Sequence, residues 1–222
     1  EIMPSLVGSE MCIRDRYIGG GLYHSQNIEG ALATLPGARI VCPSFADDAA
    51  GLLRTAMRSR GFTLYLEPKA LYNSVEASSV VPEEFEVPFG KARIRREGTD
   101  LSMITYGNTT HFCLNVAERL AQEGWSVEVI DLRSLIPLDK ETIYASVKKT
   151  SKALVVHEDK VFSGFGAEIA AGIGTELFRY LDAPVQRVGS VFTPVGFHPI
   201  LEKAILPTED KIYDAARTLL EY

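Results

Sequence analysis

The fold class follows from the stretch at residues 101–131, LSMITYGNTTHFCLNVAERLAQEGWSVEVID. Its two ends, at 101–106 and 127–131, are short apolar runs typical of buried strands. Between them, residues 109–122 carry apolar side chains at helical spacing, and Gly124 is a residue suited to ending a helix. A strand, a helix and a second strand in this order predict one unit of a parallel sheet.

The same alternation continues on both sides of this stretch. Downstream, it predicts helices at 140–149, 163–180, 199–205 and 210–220 and strands at 154–157 and 185–188. Upstream, it predicts a helix at 27–34, strands at 38–42 and 62–66, and a second helix after Pro43. Asn27 is the predicted N-cap of the first of these helices and Ser44 that of the second. Asp47 and Asp48 are expected in the first turn of the second helix. The predicted class is α/β with a mostly parallel, doubly wound sheet.

Residues 73–90 interrupt this alternation and predict a connector between two domains. They contain prolines, serines and four acidic residues without a strong period. Their apolar residues are too frequent for a free linker, so we expect the connector to be ordered. The predicted domains are therefore residues 17–72 and residues 91–222.

The first 16 residues, EIMPSLVGSEMCIRDR, differ from the rest of the chain. They lack the basic and apolar regions of a secretory signal, and they show no clear period. Residues 5–16 resemble the translation of sequencing-adapter DNA, so we expect residues 1–16 to be non-native. The alternative is a genuine N-terminus that is disordered or packs at an edge.

Composition excludes several classes of protein. The chain has 222 residues, of which 46% are hydrophobic and 23% charged, with a formal net charge of -6. These values indicate a globular protein and give no general electrostatic support to a nucleic-acid or membrane partner. No apolar run approaches the ~20 residues of a membrane helix. Three widely spaced cysteines without a C-x-x-C pair predict no zinc site and a reducing, cytoplasmic setting.

Histidine is the residue type that best suits acid–base chemistry near neutral pH. His24 follows three glycines and stands beside Ser25 and Gln26, which could orient its ring, so it is the candidate catalytic residue. We interpret His157, at a strand end, as a packed residue. We expect His111 on a solvated helix surface and His198 in a structural role.

A short basic run occurs at Arg93, Arg95 and Arg96. We interpret it as a solvated face in preference to a phosphate site. The G-F-G-A-E sequence at 164–168 lacks the third glycine of a dinucleotide fingerprint and is better explained by close packing at a helix start.

Five motifs in order give the chain a family resemblance. It resembles the β subunit of the E1 component of 2-oxoacid dehydrogenases, of the pyruvate and branched-chain types, from about residue 17 to the end. The motifs are GGGLYHSQ at 19–26, LEPKALY at 66–72, DLRSLIPLD at 131–139, HED at 157–159 with GFGAEI at 164–169, and TPV at 193–195 with FHP at 197–199.

The resemblance implies the C-terminal part of a thiamine-diphosphate pyrimidine-binding domain, followed by a transketolase C-terminal domain. It implies oxidative decarboxylation of a 2-oxo acid and reductive acylation of lipoyl groups. The implied cofactor is thiamine diphosphate with Mg²⁺, held mainly by parts outside this chain. The implied partners are an E1 α subunit or domain, a second E1 β copy and a lipoyl-bearing E2 core, with no nucleic acid and no membrane. This chain alone is expected to be inactive.

The resemblance assigns His24 to the family's active-site histidine, with Tyr23, Ser25 and Gln26 as neighbours of the substrate. The family's activating glutamate and stacking aromatic lie upstream and are absent from this chain, so its cofactor-binding residues are unknown. No metal site is expected, and the potassium site of some members is left open because Ser59 and Gly61 stand at its polar positions. Two further departures from the pattern are Phe192 and Gly196.

Two alternatives remain open. One is a transketolase-like or deoxyxylulose-phosphate synthase-like enzyme of the same fold, which would use phosphosugars. The other is a non-catalytic interaction domain that keeps the fold in order to bind a partner. Dependence on a phosphosugar would favour the first, and an activity unchanged by substitution of His24 would argue against a catalytic role for that residue.

Overall fold

The computed structural model describes residues 10–11 and 25–222. The strands are β1 Glu10–Met11, β2 Arg39–Val41, β3 Thr63–Leu66, β4 Arg93–Arg96, β5 Leu101–Thr105, β6 Val127–Asp131, β7 Ser134–Ile136, β8 Ala153–Lys160 and β9 Gln186–Ser190. The α-helices are α1 Glu29–Leu32, α2 Ala46–Arg58, α3 Thr109–Ala121, α4 Lys140–Thr150, α5 Gly166–Glu176, α6 Pro199–Ile205 and α7 Glu209–Leu220. Within these described residues, no helix is long and apolar enough to cross a membrane.

The larger sheet has the strand order β4-β6-β5-β8-β9. The last four strands are parallel, and β4 pairs antiparallel with β6 at one edge. The apolar residues of α4 and α5 pack on one face of this sheet, and those of α3 and α7 pack on the other. Helices on both faces of a mostly parallel sheet define a doubly wound α/β fold, which confirms the predicted class.

The smaller sheet has the order β1-β3-β2-β7. Strands β2 and β3 are parallel, with Ile40 opposite Leu64. Strand β7 pairs antiparallel with β2, and Ile136 lies opposite Ile40. Because β7 comes from the second half of the sequence, this pairing attaches that half to the first by backbone hydrogen bonds.

Residues 73–90 contain neither helix nor strand, but they pack against the first part of the chain. Val87 is buried beside Leu52 of α2, and Phe85 packs on the same cluster. Gly51 allows this approach, since a Cβ there would lie 2.8 Å from a methyl carbon of Val87. These contacts agree with an ordered connector.

Both predicted helix N-caps, Asn27 and Ser44, are wrong, because their side chains bond to residues far away in the sequence. Helix α1 begins at Glu29 after Ile28, and Asn27 bonds to Glu158 instead of capping. Helix α2 has Phe45 at its N-cap, and the Ser44 hydroxyl bonds to Asp131.

The predicted long helix at 163–180 is two pieces. Helix α5 begins at Gly166, and a separate 3₁₀ turn covers Phe178–Tyr180. Strand β8 extends to Lys160. Strands β4 and β7 were missed, since short edge strands carry a weak alternation signal.

Phe192 and Gly196, the two further departures from the family's pattern, lie close to other side chains. Phe192, although 64% exposed, packs against Phe162 with ring centroids 4.6 Å apart. A Cβ at Gly196 would lie 2.6 Å from the Cβ of Leu201, so a larger residue there requires Leu201 to move.

Candidate functional site

The segment that begins at Ser25 is buried against the carboxyl end of strand β8. Ser25, Asn27 and Glu29 are each at most 2% exposed. Glu158 accepts one hydrogen bond from the Asn27 amide at 3.1 Å and a second from the Asn108 amide at 3.1 Å. One carboxylate therefore connects this segment to the turn that precedes α3.

Asp159 holds the next part of the same segment. Its Oδ2 accepts a hydrogen bond from the backbone N–H of Gly30 at 2.9 Å and a longer one from that of Phe165 at 3.4 Å. The side chain of Lys160 donates to Gln26 Oε1 at 3.0 Å. Three consecutive residues of β8 thus bind three positions between Gln26 and Gly30.

A small polar cavity lies between these residues and the first strands. It is lined by Asn27, Glu29, Cys42, Pro68, Tyr106, Gly107, Asn108 and Glu158. The Tyr106 hydroxyl is buried and has no hydrogen-bond partner among the residues that the structure describes. Burial, together with the nearby carboxylates of Glu29 and Asp159, raises the pKa of Tyr106 well above its ordinary value.

His157 is fully buried, in agreement with its interpretation as a packed residue. Its ring stacks on Tyr106 with centroids 6.4 Å apart. A Cβ at Gly166 would lie 2.2 Å from His157 Nε2, and one at Gly189 would lie 2.9 Å from its Cε1. The G-F-G start of α5 therefore makes room for an imidazole, which agrees with the packing explanation of that sequence.

A second buried cluster joins α2 to the larger sheet. Asp48 is fully buried and forms ion pairs with Arg95 and with Arg133, the latter at 2.8 Å. Arg95 also contacts Asp131 at 2.8 Å. Burial raises the pKa of Asp131, against the opposing effect of Arg95.

Two predictions about this region are wrong. Arg95 is not on a solvated face: its side chain is 8% exposed, and its guanidinium lies 3.9 Å from the centroid of the Phe45 ring. His111 is buried as well, with its Nε2 2.8 Å from the Ser44 carbonyl oxygen. Both side chains face the first part of the chain, a contact that local sequence cannot reveal.

His198 fills the structural role expected of it. It is the N-cap of α6, where its Nδ1 accepts a hydrogen bond from the Ile200 N–H at 3.3 Å.

The predicted site is only partly described. His24 and Tyr23 lie outside the described residues, whereas Ser25 and Gln26 are within them. Sequence reasoning missed Glu158 and Asp159 as partners of that segment. A signal existed, since both closely follow the apolar run 153–156 at the carboxyl end of a parallel strand, where ligand-facing residues of such sheets lie.

The described residues do not fit a Mg²⁺–diphosphate group. No cluster of three histidine, cysteine or acidic side chains that could hold a metal occurs among them. The buried carboxylates of Asp48 and Asp131 are already bound to arginines. At the position considered for potassium, the Ser59 hydroxyl donates to the Thr55 carbonyl at 2.7 Å.

This geometry defines a class of protein: a doubly wound α/β domain in which residues at the carboxyl end of a sheet strand bind a preceding α/β segment. Residues 90–212 match the family model of the transketolase C-terminal domain. The chain belongs to this family.

Curated relatives extend the similarity beyond that domain. The chain is 40% identical over 206 residues to the 2-oxoisovalerate dehydrogenase subunit beta of Bacillus subtilis (strain 168), covering 92% of this chain and 63% of that protein. It is 40% identical over 208 residues to the pyruvate dehydrogenase E1 component subunit beta of Staphylococcus aureus (strain Mu50), with the same coverage. The chain thus spans less than two thirds of the length of these relatives.

A solved structure supports the fold. A chain described as "Split gene transketolase, inactive beta4 tetramer" superposes with a TM-score of 0.76 at 21% identity, covering 96% of this chain and 65% of that chain.

Proposed function

We propose that this chain acts as part of a thiamine-diphosphate-dependent E1 component, which oxidatively decarboxylates a 2-oxo acid and reductively acylates lipoyl groups. The observation that carries the proposal is the 40% identity to two E1 β subunits over 92% of the chain, from the first part through the C-terminal domain. A pyruvate type and a branched-chain type match at equal identity, so the substrate class is a 2-oxo acid of either kind.

His24 is the proposed catalytic residue, with Tyr23, Ser25 and Gln26 beside the substrate. The burial of Ser25 and the anchoring of Gln26 by Lys160 support a fixed position for the chain next to His24. A histidine can donate or accept a proton near neutral pH, as transfer of an acyl group to a lipoyl thiol requires.

Thiamine diphosphate supplies the electron sink for decarboxylation in the proposed reaction. Since the described residues do not fit its Mg²⁺–diphosphate end, we propose that an E1 α subunit or domain holds that end. The other proposed partners are a second E1 β copy and the lipoyl-bearing E2 core. We propose a cytoplasmic location, which the reduced thiol of the buried Cys113 supports, because reducing compartments keep cysteines out of disulfides.

The test is reductive acylation of a lipoyl domain by the restored enzyme, in which the upstream part of the β subunit, with its activating glutamate, precedes this chain and the α partner is bound. We expect turnover with pyruvate or 2-oxoisovalerate that requires thiamine diphosphate and the α partner, and none with this chain alone. Turnover of a ketose phosphate in place of the 2-oxo acids would favour the transketolase-like alternative. A complex that forms but acts on neither substrate would favour an interaction domain.

A further inference from the structure

The segment after His24 is connected to the C-terminal domain through two adjacent carboxylates. Glu158 and Asp159 are 5% and 4% exposed, and they lie at the carboxyl end of β8. They bind Asn27 and Gly30, which are 131 and 129 residues away in the sequence. The hydrogen bonds therefore fix the two parts of the chain relative to each other at this point.

We propose that Glu158 and Asp159 are positioning residues that hold the segment 25–30, and that catalysis by His24 depends on these hydrogen bonds. The inference rests on the proposed function, because it gives the hydrogen bonds of Glu158 and Asp159 a role in catalysis through His24. One peptide bond separates His24 from Ser25, which is fully buried. His24 directly precedes this segment in the sequence, so we expect loss of these hydrogen bonds to lower an activity that depends on His24.

The geometry suits positioning because both oxygens of each carboxylate accept hydrogen bonds, each from a different residue. Glu158 Oε2 accepts from Asn27, and Oε1 accepts from Asn108 in the turn before α3. Asp159 Oδ2 accepts from Gly30, and Oδ1 accepts from the Lys160 N–H at 2.7 Å. A carboxylate bonded at both oxygens has little freedom to rotate, so its partners are held in one arrangement.

Close packing allows this arrangement only with glycine at position 30. A Cβ on Gly30 would lie 2.7 Å from the Ser163 carbonyl oxygen and 3.0 Å from Asp159 Oδ2. The backbone at Gly30 therefore lies too close to the Ser163 carbonyl for a side chain, and an added Cβ would also crowd Asp159.

The effect on catalysis is expected to be large. A displacement of about 1 Å in a catalytic group can reduce a rate about 100-fold. Loss of a positioning residue should lower kcat and leave KM for the 2-oxo acid unchanged, since the described hydrogen bonds of both carboxylates go to other residues of the chain.

The first experiment measures hydrogen–deuterium exchange in this chain for the variants Glu158→Ala and Asp159→Ala. We expect residues 26–34 to exchange about tenfold faster, while α3 and α7 keep their wild-type exchange. The control is Glu118→Gln, which removes an exposed ion pair with Arg96 and should change neither region.

The second experiment measures reductive acylation by the same variants of the restored enzyme, in which the upstream part of the β subunit precedes this chain and the α partner is bound. We expect kcat to fall at least tenfold in both alanine variants, with KM changed less than twofold. Glu158→Gln keeps the side-chain volume and one acceptor oxygen, so its kcat should lie between those of wild type and Glu158→Ala. If Glu158→Ala fails to fold, the kcat of Glu158→Gln is compared with that of wild type instead.

The outcomes separate the two proposals. Wild-type turnover of a 2-oxo acid together with unchanged kcat in folded Glu158→Ala and Asp159→Ala would overturn the positioning role and leave the proposed function intact. Faster exchange throughout the domain, without a selective change at 26–34, would also overturn it, since that indicates only a stability role. An inactive wild-type complex would overturn the proposed function and, with it, this inference.

Discussion

The Nη1 of Arg133 donates a hydrogen bond to Asp48 Oδ1 at 2.8 Å, across 85 residues of sequence. Arg133 also donates to the carbonyl oxygen of Lys91 at 2.7 Å. The guanidinium therefore ties the start of α2 to the segment that leads into β4. This contact gives Arg133, the arginine of the D-L-R motif, a structural role.

Substitution of Asp48 tests this cluster. Asp48→Asn would leave Arg133 buried without a carboxylate and Arg95 with Asp131 alone, and breaking a buried pair from one side costs about 3–5 kcal/mol. We expect the urea midpoint of this chain to fall accordingly. Glu118→Gln, which breaks an exposed pair, should cost at most about 1 kcal/mol. Equal losses in the two variants would contradict the account.

A pair of glycines in one helix tests the packing of His157. In Gly166→Ala the new Cβ would lie 2.2 Å from His157 Nε2, so overpacking should destabilise the chain by about 1–3 kcal/mol. In Gly174→Ala, also within α5, the Cβ would meet nothing within 4 Å, and alanine should stabilise the helix by about 0.5–1 kcal/mol. Thermal unfolding should give shifts of opposite sign, and shifts of the same sign would show that the packing is wrongly described.

Asp139 provides a test by pH. Its carboxylate caps α4 through Thr142 and accepts from the Ala92 N–H at 2.9 Å. Burial acts to raise its pKa, but the hydrogen bonds from Ala92 and Thr142 outweigh that effect, so the pKa lies below its ordinary 3.8. Its stabilising contribution is therefore present above pH 3.8 and is lost as the pH falls through the lowered value.

The Asp139→Ala variant should accordingly lose about 1–2 kcal/mol in the free energy of unfolding at pH 7. The difference from wild type should shrink as the pH falls below 3.8. Asp139→Asn keeps the cap without the charge, so its stability relative to Asp139→Ala should not depend on pH. A difference between wild type and Asp139→Ala that stays constant as the pH falls below 3.8 would contradict this assignment.

Cys113 offers a probe of the sheet's second face. It lies on the buried face of α3, and burial raises the pKa of its thiol to about 12. We expect no maleimide labelling of the Cys113 peptide at pH 7.5 in the folded chain, and complete labelling in urea. Mass spectrometry of that peptide measures both, and rapid labelling without urea would mean that α3 is not packed as described.

The sequence was sufficient to predict the fold class because the periodic signals are strong where strands are fully buried. Leu101–Thr105 and Val127–Asp131 are buried at every position, so their apolar runs are unambiguous. The edge strand β4 has two exposed residues, and no comparable signal marks it.

The candidate site was less predictable because its contacts are long-range. Asn27 has the side chain of a good N-cap, and only the folded chain brings Glu158 close enough to use it otherwise. Arg95 stands in a basic run, and its burial depends on two aspartates from different elements. Local chemistry suggests what a side chain can do, whereas the tertiary structure decides which partner it meets.

The most direct test of the account is reductive acylation of a lipoyl domain by the His24→Ala variant of the restored enzyme, in which the upstream part of the β subunit precedes this chain and the α partner is bound. His198→Ala is the control, since His198 caps the exposed helix α6. We predict that His24→Ala lowers the rate at least 100-fold while the complex still assembles, and that His198→Ala keeps a rate near wild type. A wild-type rate in His24→Ala would contradict the catalytic assignment.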